Sequence, residues 1–153
     1  MRFDSQLLAL YLIADSCYDQ LLERTEQALQ GGVTLVQLRM KDAEGKDFFE
    51  MASQMKFFCD QYKIPLVIND RVDIALAVDA AGVHLGQTDL PVEVVRKILG
   101  PEKIIGITGR TKEDFERAAK AGADYGGAGA FTFTGTKPDC LLITLEEFEN
   151  LCS

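Results

Sequence analysis

The sequence predicts an α/β fold built on a parallel sheet. Three observations carry that prediction. Short apolar runs alternate with helical patterns along the chain, and such alternation means parallel strands with helices outside them. The runs are almost wholly apolar, as expected of strands covered on both faces. Unusual polar residues follow the second to sixth runs, always at the C-terminal end. Two architectures fit: a (β/α) barrel and an open doubly wound sheet.

Taken in order, residues 8–14 read as the first strand. The helix at 18–30 follows, with Leu21, Leu22, Thr25, Ala28 and Leu29 on one face. Gly31 and Gly32 end it, as glycine often does after a helix. Residues 33–38 form a strand rich in branched side chains. In the helix at 46–62, Phe48, Ala52, Met55, Cys59 and Tyr62 recur at steps of four and three. Pro65 breaks that pattern before a strand at 66–68. A short helix at 72–78 and a strand at 82–85 come next. Pro91 opens a helix whose inner face is Val94, Val95, Ile98 and Leu99. A strand at 104–107 precedes a helix at 112–121, with Phe115, Ala118 and Ala119 inward. The glycine-rich strand at 125–130 and a helix at 144–151, with Leu145 and Phe148 inward, complete the pattern.

The chain has 153 residues, 47% of them apolar and 26% charged. That is the balance of one globular domain spanning residues 1–153, and it excludes disorder and a polytopic membrane protein. The net charge is −8, which argues against nucleic acid as a partner. Cys17, Cys59, Cys140 and Cys152 form no C-x-x-C, so neither a zinc site nor a secreted disulfide framework is expected. Thiols in a reducing cytoplasm suit them. The apolar run at 7–14 is too short to span a bilayer.

The polar residues at the strand ends carry the functional reading. The second strand runs into Gln37, Arg39 and Lys41, and the third into Asn69 and Asp70. The fourth ends with His84, Gln87 and Asp89, and the fifth with Thr108 and Arg110. The sixth leads to Thr134, Thr136 and Lys137. Parallel strands place all these ends on one rim, where both architectures carry their active sites. Converging Arg39, Lys41 and Lys137 in an acidic protein suggest an anionic ligand, and phosphate fits best. Asp70 and Asp89 beside such cations suggest a magnesium ion shared with that ligand. Gln37, Asn69 and the threonines offer neutral hydrogen bonds to an uncharged ring. Each has a plainer role open to it. Asp70 and Asp89 could cap helices, Arg39 and Lys41 could be exposed loop charges, and His84 could be a packing residue. No P-loop, dinucleotide fingerprint or Ser–His–Asp triad is present.

These segments resemble the thiamine-phosphate synthase family. GGVTLVQLRMK at 31–41, IPLVINDRVDIALAVDAAGVHLGQTDLP at 64–91 and TGTKPD at 134–139 carry the likeness. The resemblance implies a TIM (β/α) barrel and a transferase that joins hydroxymethylpyrimidine diphosphate to hydroxyethylthiazole phosphate, giving thiamine phosphate and pyrophosphate. It implies that Arg39, Lys41, Asn69 and Lys137 hold the diphosphate and that Asp70 and Asp89 bind Mg2+. Gln37, His84, Thr108, Thr134 and Thr136 would line the pyrimidine and thiazole sites. Arg39, Lys41 and Lys137 would stabilise the departing pyrophosphate. The related thiazole tautomerase fits less well, because it uses a histidine where this chain has Gly109 and Arg110.

The chain also departs from the family pattern. The family places a serine and then a histidine or asparagine after its fifth strand, where Thr108, Gly109 and Arg110 stand here. Prolines expected near Ala130 and Phe133 are missing. A full barrel takes about 200 residues or more, so about six β/α units are expected, without the last two that hold the thiazole phosphate. A homo-oligomer would then cover the open barrel edges. An incomplete member that only binds a diphosphate, or acts by interaction, is the alternative function.

Overall fold

The computed structural model of the protein describes residues 3–132 and 142–152. The elements are β1 (Tyr11–Asp15), α1 (Leu21–Gln30), β2 (Leu35–Arg39), α2 (Gly45–Tyr62), β3 (Leu66–Asn69) and α3 (Val72–Ala77). They continue with β4 (Gly82–Leu85), α4 (Val92–Leu99), β5 (Ile104–Thr108), α5 (Lys112–Ala121), β6 (Tyr125–Gly127) and α6 (Leu145–Cys152). A 3-10 turn at Ser5–Leu8 precedes β1, capped by the Asp4 carboxylate, which accepts from the Gln6 N–H.

Strand order settles the architecture. All adjacent strands are parallel, and the order is β1-β2-β3-β4-β5-β6 without a reversal. A doubly wound sheet reverses at a switch point, so that alternative falls. The sheet also curls. Tyr11 on β1 and Tyr125 on β6 stand at its opposite edges, yet their hydroxyls meet at 2.6 Å. Phe3 stacks on the Tyr125 ring, with centroids 5.7 Å apart. A sequential parallel sheet curled in this way is an arc of a (β/α) barrel.

Side chains alternate between the two faces of a strand, and the two faces carry different cores. On the convex face, Val36, Leu38, Ile68, Val83, Leu85, Ile105 and Ile107 are buried under the helices, against Phe48, Met55, Cys59 and Val95. On the concave face, Leu35, Val67, Ile104 and Tyr125 form a smaller cluster with Phe3, Leu7, Leu8 and Tyr11. These sit near the N-terminal ends of the strands and make an apolar floor. The polar residues one or two pleats further along stand above it.

Several expectations need correcting. The first strand begins at Tyr11 because Ser5–Leu8 forms a turn. The first helix begins at Leu21 because Gln20 takes a left-handed conformation, φ 56°. The sixth strand ends at Gly127, and Ala130 makes only an isolated bridge to Leu142. On α4, Val95 and Leu99 face the sheet, while Val94 and Ile98 are 38% and 47% exposed. The apolar stripe of α4 is wider than the surface it covers. Ala119 points outward on α5. Leu145 and Phe148 of α6 are also exposed, because β6 is three residues long and gives that helix little sheet to cover. Phe148 instead meets Phe131 edge-on at 5.7 Å.

Arg96 ties the helix ends to the sheet. Its guanidinium donates to the carbonyls of Gly100, Lys103 and Gly122 and to the Asp124 carboxylate. Asp124 in turn accepts from the Ile105 N–H at 2.8 Å, which joins this clamp to β5. No helix among the described residues is long and apolar enough to cross a membrane. Arg96→Ala should lower unfolding free energy by about 2–3 kcal/mol, the scale of lost hydrogen bonds to a charged group. Arg96→Lys should recover only part of it, since an ammonium lacks the fork. Urea unfolding of the three proteins checks both.

Candidate active site

Alternation along β2 places Leu35 in the floor, Gln37 above it and Arg39 at the rim. The same logic raises Asn69 on β3, His84 on β4 and Thr108 on β5. All five polar residues line one cleft of about 530 Å³ on the concave face. That volume suits a small molecule. The structure thus brings Gln37, Arg39, Asn69, His84 and Thr108 together at one cleft.

The cleft holds a carboxylate that sequence reasoning passed over. Asp15 pairs in register with Arg39 across β1 and β2. The Arg39 Nη1 donates to its Oδ2 at 2.5 Å, and the Cys17 N–H donates to its Oδ1 at 3.0 Å. Asp15 is only 6% exposed. Burial alone would push its carboxyl up, but the Cys17 N–H and the Arg39 guanidinium together hold it below the usual carboxylate value. Arg39 thus meets the cleft on a fixed anchor rather than as a loose loop charge.

A chain of hydrogen bonds crosses the concave face. The Gln37 Nε2 donates to the Tyr11 hydroxyl at 2.6 Å, which meets the Tyr125 hydroxyl at 2.6 Å. Tyr125 meets His84 Nδ1 at 3.1 Å, and His84 Nε2 meets Thr108 Oγ1 at 2.9 Å. Burial pushes the Tyr11 phenol up to about 12 and that of Tyr125 up as well. His84 is therefore part of a polar network at the cleft wall, not a packing residue in an apolar strand. Gly106 makes room for this network: a Cβ there would come within 2.1 Å of Tyr125 Cζ. Gly126 gives way to Phe115 in the same manner on the other face, at 2.5 Å.

The remaining expected residues stand elsewhere. Asp70 directly follows β3 in a left-handed conformation, φ 62°, and its N–H donates to the His84 carbonyl at 2.8 Å. It does not cap α3, whose N-cap is Arg71 without a side-chain bond. Asp89 does not cap α4 either; its Oδ2 accepts from the Gly86 N–H at 2.6 Å. Asp89 borders a second hollow of about 270 Å³ with Gln87, Asp114 and Arg117. Neither carboxylate lines the main cleft, and Lys41 is exposed in the loop after β2. No group of three or more His, Cys, Asp or Glu able to hold a metal is found among the described residues. Thr134, Thr136, Lys137 and Cys140 lie outside the described residues.

With this geometry in place, likeness to known proteins becomes informative. The family model for thiamine monophosphate synthase matches residues 10–153. The chain belongs to the thiamine-phosphate synthase family. It is 47% identical over 141 residues to the thiamine-phosphate synthase of Alkaliphilus oremlandii, covering 90% of this chain and 68% of that protein. It is 52% identical over 128 residues to that of Clostridium tetani, covering 82% and 61%. Among solved structures, a thiamine phosphate pyrophosphorylase from Pyrococcus furiosus superposes with a TM-score of 0.82 at 37% identity, covering 93% of this chain and 68% of that one. An N-acetylneuraminate lyase from Fusobacterium nucleatum shares the fold alone, at 16% identity and a TM-score of 0.60. The chain spans about 61–68% of the length of these curated synthases.

Asp15→Asn tests the anchor in this thiamine-phosphate synthase family member. It should cost about 1.5–3 kcal/mol at neutral pH, the range for hydrogen bonds to charged groups. The Asp15 contribution is full above the unfolded carboxyl value, about 3.9. It is lost as pH falls through the lower folded value. The wild type should therefore lose its advantage over Asp15→Asn below about pH 4, as urea unfolding at pH 7 and at acid pH would show.

Proposed function

We propose that this chain carries out the thiamine-phosphate synthase reaction of its family. A pyrimidine diphosphate and a thiazole phosphate are the substrates. The thiazole nitrogen forms a bond to the pyrimidine methylene carbon while the carbon–oxygen bond to the diphosphate breaks. Pyrophosphate leaves with that electron pair. The observation that carries the reading is the convergence of Gln37, Arg39, Asn69, His84 and Thr108 on one cleft of a family member.

The residues divide the work by charge. Arg39, braced by Asp15, presents fixed positive charge to a diphosphate. Lys41 and Lys137 supply further positive charge by the family pattern, and Asn69 a neutral contact. Gln37, His84 and Thr108, with Thr134 and Thr136 by the family pattern, orient the uncharged rings. No protein nucleophile is required, and positioning the two rings in line supplies much of the acceleration.

The donor chemistry of Asp70 and Asp89 fits Mg2+. They are hard oxygen ligands after adjacent strands β3 and β4, and magnesium commonly takes one or two carboxylates and completes its shell with phosphate and water. When bound, it would neutralise charge developing on the departing pyrophosphate. The described thiols Cys17, Cys59 and Cys152 are free, which suits a cytoplasmic reaction. β1 and β6, the edges of the described sheet, are where a second copy of the chain would pair.

A second reading is diphosphate binding without turnover, for which the Arg39–Asp15 pair at the cleft rim would suffice. Turnover with both substrates and magnesium separates the two. Thiamine phosphate should form, and Asp89→Ala should lower kcat by about 100-fold or more, the effect of removing one transition-state stabiliser. Saturable binding of the pyrimidine diphosphate with no product would select the second reading.

A further inference from the structure

The hydrogen-bond chain on the concave face has a direction, and that direction sets what the cleft offers a ligand. An amide nitrogen only donates, so the Tyr11 oxygen accepts from Gln37 Nε2. The Tyr11 and Tyr125 hydroxyls lie 2.6 Å apart and either can donate; a Tyr11 oxygen that accepts from Gln37 leaves the Tyr11 proton available to Tyr125. In that arrangement Tyr125 has its own proton for His84 Nδ1, 3.1 Å away. An imidazole that accepts at Nδ1 carries its hydrogen on Nε2, and Nε2 lies 2.9 Å from Thr108 Oγ1. Thr108 accepts there and directs its own proton to a further acceptor. Thr108 borders the cleft. Burial holds both phenols protonated at neutral pH, so each keeps a proton to donate.

We infer that Tyr11 and Tyr125 are positioning residues that lock His84 in its Nε2–H tautomer and make the Thr108 hydroxyl a hydrogen-bond donor to a ring nitrogen of the substrate. The ligand class follows from the local charge. Thr108 lies on β5 beside neutral groups, whereas the cleft's guanidinium, Arg39, lies on β2 with Asp15. A neutral hydroxyl donor suits an uncharged aromatic acceptor, and the cation suits the anionic part. The choice of pyrimidine as that ring rests on the proposed function; the polarity of the chain does not. Turning the Gln37 amide would reverse every step. His84 would then carry its hydrogen on Nδ1, Thr108 would donate to Nε2, and the cleft would offer an acceptor instead.

His84 is the only histidine in the sequence, so isotopically labelled histidine gives one set of ring nitrogen signals. The ring spectrum of the full chain should show a protonated Nε2 and an unprotonated Nδ1. Tyr125→Phe should move the signals toward the Nδ1–H form while circular dichroism stays unchanged. Titration calorimetry with hydroxymethylpyrimidine diphosphate and magnesium should show about tenfold weaker binding for Tyr125→Phe and for Thr108→Val. The double variant should bind no more weakly than either single one, because both remove the same hydrogen bond. A wild-type ring protonated at Nδ1, or a folded Tyr125→Phe protein with unchanged spectrum and affinity, overturns the inference. If Tyr125→Phe does not fold, the wild-type spectrum and Thr108→Val decide it. Absence of pyrimidine diphosphate binding by the wild type sinks the substrate reading and the ligand named here, while the ring spectrum still decides the relay.

Discussion

Two phenol oxygens 2.6 Å apart hold the arc of this fold together. Tyr11 and Tyr125 belong to the first and last strands of the described sheet, so their contact is a chord across its concave face. It requires the sheet to curl, and it requires both rings to lie inward over the apolar floor. Phe3 closes over Tyr125 from the N-terminal segment. With the chord in place, the side chains above it converge. A flat sheet carrying the same residues would spread Gln37, His84 and Thr108 along a line.

The second constraint is the pleat. Along β2 the inward positions run from Leu35 to Gln37 to Arg39, from an apolar floor through a neutral wall to a charged rim. On β1 they run from Tyr11 through Ile13 to Asp15, and Asp15 arrives beside Arg39 in register. The result is a cleft graded in polarity with its cation anchored. Burying that ion pair has a desolvation cost, offset by the additional hydrogen bond from the Cys17 backbone. The benefit is a guanidinium whose direction is set before any ligand arrives.

The alternation of elements and the polar strand ends were legible because both depend on local chemistry. Gln37, Arg39, Asn69, His84 and Thr108 reach the cleft as their positions at strand ends imply. Curvature was not legible. Tyr11 and Tyr125 read as members of apolar strands, and nothing nearby in sequence shows that residues 114 apart touch. Asp15 was hidden for the same reason, since its partner lies across a strand pairing 24 residues away. The choice of barrel over open sheet came from the resemblance, and strand order then supplied the physical ground. Helix faces were overread where the sheet beneath is narrow, as with Val94 and Ile98, or short, as with Leu145 and Phe148. The capping box at Thr111 and Asp114 did have a signal, a threonine three residues before an acid at a helix start.

Gly106 gives this architecture a historical dimension. The Tyr125 ring lies against the bare α-carbon of Gly106, in the space that a Cβ there would fill. The two positions are thereby bound into one unit of variation. A lineage could replace the glycine only after the tyrosine had shrunk or turned away, and restoring the tyrosine would require the glycine first. Aligned descendants of this chain should show the two columns changing together and in a fixed order, a trace of steric contact written in ancestry.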